Sequence, residues 1–104
     1  MKVEKRSSVR KSYDGSCAIK SAGTNYMLGK LVNISSGGLM IVGDKSLAIN
    51  HLYQCQLEFD DKLLTVGLDC LWCESVSPLN VVYSGFKIID IADDDLGYIE
   101  GLLH

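Results

Sequence analysis

Six short strand-like segments, each cut off by turn chemistry, constrain this chain more than any other feature. They lie at 13–21 (YDGSCAIKS), 25–34 (NYMLGKLVNI), 38–43 (GLMIVG), 52–59 (LYQCQLEF), 62–75 (KLLTVGLDCLWCES) and 80–90 (NVVYSGFKIID). Between them stand AGTN, SSGG, GDKS, FDDK and VSPLN, rich in the residues that reverse a chain. FDDK is short enough to join its neighbours as an antiparallel hairpin. An open sheet of six short strands would leave two unpaired edges, and closure removes them. The pattern therefore predicts an all-β fold, a small six-stranded antiparallel barrel over residues 13–90.

The period then changes. In ADDDLGYIEGLLH, Leu96, Ile99 and Leu103 recur at helical spacing, which predicts a C-terminal helix over 93–103. Asp93, Asp94 and Asp95 supply an N-cap and negative charge at the positive end of the helix dipole. Gly97 and Gly101 weaken it, each by roughly 1 kcal/mol relative to alanine, so the helix needs support from the barrel. At the other end, residues 1–12 carry Lys2, Lys5, Arg6, Arg10 and Lys11 against one acid, Glu4. With no apolar periodicity, that segment reads as a flexible basic arm.

With 104 residues, the chain is one domain with a single core. A net charge of −3 gives no overall attraction to a nucleic-acid polymer, so any bound anion must be held by a local basic cluster. No apolar run reaches the length of a membrane span and no signal peptide precedes the domain, so the expected location is cytoplasmic. The aromatic residues do not cluster with lysines as in an oligonucleotide-binding barrel, and Trp72 and Phe86 read as core residues.

CLWC (residues 70–73) has the CxxC spacing of redox and zinc sites. It lies in a segment that alternates as a strand, where residues three apart point to opposite faces. Cys70 is expected with Leu68 and Trp72, and Cys73 with Leu71. There is no second CxxC, and the histidines are only His51 and His104. The four cysteines are read as reduced and structural, and no metal is expected. HExxH, GxSxG, a Walker motif and a Cys/His nucleophile pair are all missing from the sequence, so an enzyme is not expected.

Two short motifs remain. RSSVR places Arg6 and Arg10 four residues apart, and guanidinium groups pair bidentately with phosphate and stack on flat rings. NISSGG, from Asn33 to Gly38, sets a polar, glycine-bearing step between two apolar runs. It suits a turn, with side-chain hydrogen bonds and positive φ angles, and it equally suits a turn that holds a ligand.

Together, RxxxR and the later [D/N]xSxxG resemble the PilZ domain family of bacterial cyclic di-GMP receptors. The resemblance extends over the arm, the six strands, the glycine-aromatic step YSGFKI and the C-terminal helix. It implies that Arg6 and Arg10 hold the phosphates and stack on guanine, and that Asn33, Ser35 and Gly38 form the turn that reads the base and ribose-phosphate. Lys5, Gly37 and Gly85 are additional candidates. It implies cyclic di-GMP as ligand, no other cofactor, an arm that orders over the barrel on binding, and a protein partner in flagellar, pilus or exopolysaccharide machinery.

Two positions depart from the common pattern. Asn33 stands where aspartate is common, giving one acceptor and one donor group in place of a carboxylate. Lys5 precedes the first motif where, in the family it resembles, arginine favours an intercalated pair of nucleotides, which points to a single ligand or a weak pair. A barrel of this kind acting only as a protein-interaction domain, with little nucleotide affinity, is the alternative; the presence of both arginines favours the receptor.

Overall fold

The computed structural model describes residues 11–13, 16–24 and 26–103. Among these, seven strands and a helix follow in chain order: β1 (Lys11–Ser12), β2 (Ala18–Ser21), β3 (Met27–Ile34), β4 (Gly38–Gly43), β5 (Leu52–Glu58), β6 (Leu63–Val76), β7 (Val81–Ile91) and α1 (Asp93–Leu102). The pairings are antiparallel in the order β1-β3-β2-β5-β6-β7-β4, and a further β3–β4 pairing returns the sheet upon itself. Strands β2 to β7 thus close into the six-stranded barrel expected from the turn pattern, with β1 as an extra strand and α1 at the C-terminal end.

β3 serves three partners. Residues 30–34 pair with β4 along one edge. Along the other edge, residues 27–30 pair with β2, and Asn33 and Ile34 pair with Ser12 and Lys11 of β1. The last two residues of the segment read as arm are therefore strand. Backbone groups at the end of β3 lie beyond the reach of the short β2, and a passing chain satisfies them without apolar side chains of its own. Tyr13 continues the contact, its N–H donating to the Val32 carbonyl at 3.0 Å.

Alternation sends one face of each strand inward. Ile19, Leu31, Ile34, Leu39, Ile41, Leu57, Leu64, Val66 and Leu68 fill the interior together with Cys17, Cys55 and Cys70. Each buried aliphatic side chain contributes roughly 1.5–3 kcal/mol relative to exposure. Phe86 joins this core as expected.

Trp72 does not. The β6–β7 register slips between Cys70 and Trp72, where Cys70 faces Phe86 but Trp72 faces Gly85. Leu71 is the extra residue of a bulge, and one inserted residue reverses the facing of everything beyond it. Trp72 is consequently on the outer wall, 39% exposed. The same bulge turns Cys70 and Cys73 to the inner face, correcting the expectation that they oppose each other. Cys73 Sγ accepts from the Ser84 hydroxyl at 3.5 Å and the Leu47 N–H at 3.4 Å, and all four cysteines are free thiols.

α1 is capped by Ala92, which makes no side-chain capping bond. The three aspartates lie inside the first turn, where they complement the dipole without capping. Ile99 and Leu103 enter the core. The Tyr98 hydroxyl donates to the Asp61 carboxylate at 2.9 Å, tying the helix to the β5–β6 turn. Phe59 packs between Tyr13 and Tyr98, with ring centroids 5.4 and 5.3 Å away. The residue that follows β1 is thereby linked through aromatic contacts to the C-terminal helix.

Candidate functional site

The NISSGG step forms the tight connection between β3 and β4. Ser35 N–H donates to the Gly38 carbonyl at 2.8 Å. The Ser35 hydroxyl accepts from the Gly37 and Gly38 amides at 3.3 and 3.1 Å and lies 3.2 Å from the Gly38 carbonyl, to which it donates. Gly37 in turn accepts from the Ile88 N–H at 2.9 Å, anchoring the turn on β7. Ser35 is 1% exposed, so its side chain organises the turn and its polar capacity is filled from within. Among the described residues the glycine at positive φ is Gly23, not Gly37 or Gly38. Hydrogen bonding by Ser35, and not left-handed backbone, makes this reversal.

Cross-strand registers carry the site outward from the turn. Asn33 pairs with Ser12 on β1 and with Met40 on β4, Met40 pairs with Gly85 on β7, and Gly85 pairs with Trp72 on β6. These outward-facing positions form one continuous row across five strands. A cavity of about 360 Å³ opens over the row, lined by Asn33, Met40, Leu71, Trp72 and Gly85. That volume is at the small end of ligand sites. The Asn33 amide nitrogen approaches Met40 Sδ at 4.0 Å.

Gly85 is required by its neighbour. A Cβ at that position would fall 2.1 Å from Trp72 Nε1 and 2.4 Å from Cε2, so any side chain there would displace the indole. Beside this row Gly38 pairs with Lys87, and Lys87 with Asp69. Lys87 is exposed and sets a positive charge next to the turn.

The structure thus brings Asn33 and Gly85 to one cavity, puts Ser35 and Gly38 behind it as the turn, and exposes Gly37 at the turn's tip. Lys5, Arg6 and Arg10 lie outside the described residues. Met40, Leu71 and Trp72 were not singled out by the sequence as site residues. Their place depends on strand register and on a bulge, neither of which leaves a local motif.

Three of the four cysteines are buried thiols held in the protonated form. Burial pushes the Cys17 thiol up to about 12, with Glu58 and Asp60 adding to the effect, and burial pushes Cys55 up to about 11. Burial, then the neighbouring Cys73, also raises Cys70. A thiol so shifted is protonated at neutral pH and is a poor nucleophile and metal ligand. Among the described residues no group of three or more His, Cys, Asp or Glu could hold a metal ion, and no helix is long and apolar enough to cross a membrane.

These features define a small closed β-barrel with an outer-wall cavity beside the strand that its N-terminal segment joins. The chain belongs to the PilZ domain family, whose model matches residues 4–104. No curated protein matches it by sequence. Among solved structures, the Bacillus subtilis inhibitor of motility MotI/DgrA superposes with a TM-score of 0.77 at 13% identity, over 99% of this chain and 51% of that one. The PilZ domain of Escherichia coli YcgR with c-di-GMP gives 0.74 at 11% identity, over 96% and 89%. The K. pneumonia MrkH–c-di-GMP complex gives 0.75 at 17% identity, over 97% and 52%. The chain therefore spans about half the length of MotI/DgrA and MrkH.

Proposed function

We propose that this domain is a cyclic di-GMP receptor that orders its N-terminal arm over the outer-wall cavity and signals to a protein partner. Family membership and the two c-di-GMP-bound structural relatives support the ligand. The observation that carries the reading is the pairing of Lys11 and Ser12 with Ile34 and Asn33. Arg10 is covalently joined to Lys11, which supports an approach of the first motif to the second. Arg6 is five residues from Lys11, a span of at most roughly 18 Å, so both guanidinium groups can reach the cavity.

The division of labour follows from chemistry. Arg6 and Arg10 pair with the phosphates and cover the purine faces. Asn33 addresses a guanine edge with an amide that both accepts and donates. Gly37 and Gly38 present the turn that Ser35 holds rigid. The cavity is small for a cyclic dinucleotide, and the arm supplies the missing walls. Lys5 has the charge for phosphate but no planar group to stack, which supports a single bound nucleotide or a weak pair.

Calorimetric titration of the full chain with cyclic di-GMP, with GTP and cyclic di-AMP as controls, tests the reading. Saturable binding of cyclic di-GMP in preference to both controls is the expected result. Heat indistinguishable from dilution would leave a barrel that acts only through protein contacts.

A further inference from the structure

We propose, building on the receptor reading above, that Trp72 is an aromatic platform on which a purine base of the ligand stacks. Trp72 is the chain's one tryptophan, and the β6 bulge delivers it to the outer wall in the row that contains Asn33. Its indole covers Gly85, the residue whose missing side chain makes room for it. Covering a glycine on a neighbouring strand is a known packing use of an aromatic ring, and it accounts for one side of the indole. It does not account for the cavity shared with Asn33 and Met40, nor for an indole N–H that makes no hydrogen bond among the described residues.

An exposed ring, an indole N–H donor and an amide across a floor formed by Met40 suit a flat heterocycle with polar edges. The ring face provides stacking, which tolerates any purine. Asn33 contacts the edge, where one purine differs from another. Strands are about 4.8 Å apart, so the indole, by reaching across Gly85, leaves the width of one strand, that of Met40, between itself and Asn33. Trp72 contributes affinity and Asn33 discrimination.

The test compares the full wild-type chain with Trp72→Leu, which keeps an apolar cover on Gly85 but has no π face, and with Trp72→Phe, which keeps a ring. Cyclic di-GMP is the titrant, followed by calorimetry and, in the wild type, by tryptophan emission. Wild-type emission changes on saturation, Trp72→Leu loses roughly tenfold or more in affinity, and Trp72→Phe recovers most of it. Full affinity in Trp72→Leu, while Arg6→Ala fails to bind, overturns the platform and leaves the receptor reading standing. Wild-type protein that does not bind overturns both. Should Trp72→Leu not fold, wild-type emission unchanged at saturation overturns the platform by itself.

Discussion

Ser35 and Gly38 bind each other twice through one hydroxyl, which accepts from the Gly38 amide at 3.1 Å and donates to the Gly38 carbonyl at 3.2 Å. The serine of the second motif thus shapes the backbone that a ligand meets. Ser35→Ala leaves the buried Gly38 amide without its hydroxyl acceptor, at a cost of about 1–3 kcal/mol, while the exposed Gly37 amide turns to water. For a domain of this size each kcal/mol lowers the Tm by about 4–8 °C. Urea unfolding should show this loss without ligand. A change under about 0.5 kcal/mol would mean that the backbone holds the turn unaided.

The arginines should behave oppositely. Arg6→Ala and Arg10→Ala each remove charge-assisted contacts of roughly 1.5–3 kcal/mol, so each should weaken cyclic di-GMP at least tenfold. Thermal unfolding without ligand should move by no more than a degree or two. A large fall in Tm would assign these residues to the fold, and unchanged affinity would remove the arm from the site.

Ordering of the arm has a separate readout. Amide exchange over residues 4–10 should slow when cyclic di-GMP is added, because an arm closed over the cavity exchanges only by opening. Lys11 and Ser12 serve as the internal reference, since Ser12 and Lys11 already pair with Asn33 and Ile34. Equal protection with and without nucleotide would defeat the switch while leaving binding to be judged by calorimetry.

Alkaline pH probes the core. Cys17 and Cys55 are raised to about 12 and about 11, above the roughly 8.5 of an unfolded thiol. Between those values the native state holds protons that the unfolded state releases, so stability is fully present below about pH 8.5 and falls as pH rises toward 11–12. Each thiol contributes a slope of up to about 1.4 kcal/mol per pH unit. Cys17→Ala should flatten the curve of ΔG against pH between 9 and 11. An identical slope in the variant would show that Cys17 does not titrate in this window.

The barrel was legible because closure depends on a repeated pattern, and the turns AGTN, SSGG and FDDK each coincide with a strand reversal. What escaped depends on pairing. Lys11 and Ser12 carry no apolar alternation, and their strand exists because β3 has unpaired backbone beside them. The segment DCLWC reads as unbroken alternation, yet the slip at Leu71 sends Trp72 outward and joins Cys70 with Cys73 on the inner face. The helix begins at Asp93 as expected, but its cap was misassigned to aspartate, since Ala92 ends β7's exit with extended backbone and takes the cap position before any acid is reached. Of the site, Asn33 and the SSGG turn were visible as a motif. The Met40, Gly85 and Trp72 side of the cavity needed the register.

Asn33 gives the most specific test of base recognition. It stands at the centre of the outer row, between Ser12 and Met40, and half-buried. If its side chain reads guanine, Asn33→Asp presents two acceptors to the N1–H and N2–H₂ edge, with hydrogen bonds roughly twice as strong as those of a neutral acceptor. The ligand's two phosphates oppose the new charge, so the net gain in cyclic di-GMP affinity should be modest, roughly three- to tenfold. Adenine has neither donor, so cyclic di-AMP should gain nothing and lose affinity to charge repulsion. Raising the salt concentration should widen the gain for cyclic di-GMP, because screening weakens distant repulsion more than a direct hydrogen bond. Weaker cyclic di-GMP binding by Asn33→Asp at every salt concentration, or an equal improvement for both nucleotides, would show that residue 33 shapes the wall of the cavity and that the base is read elsewhere.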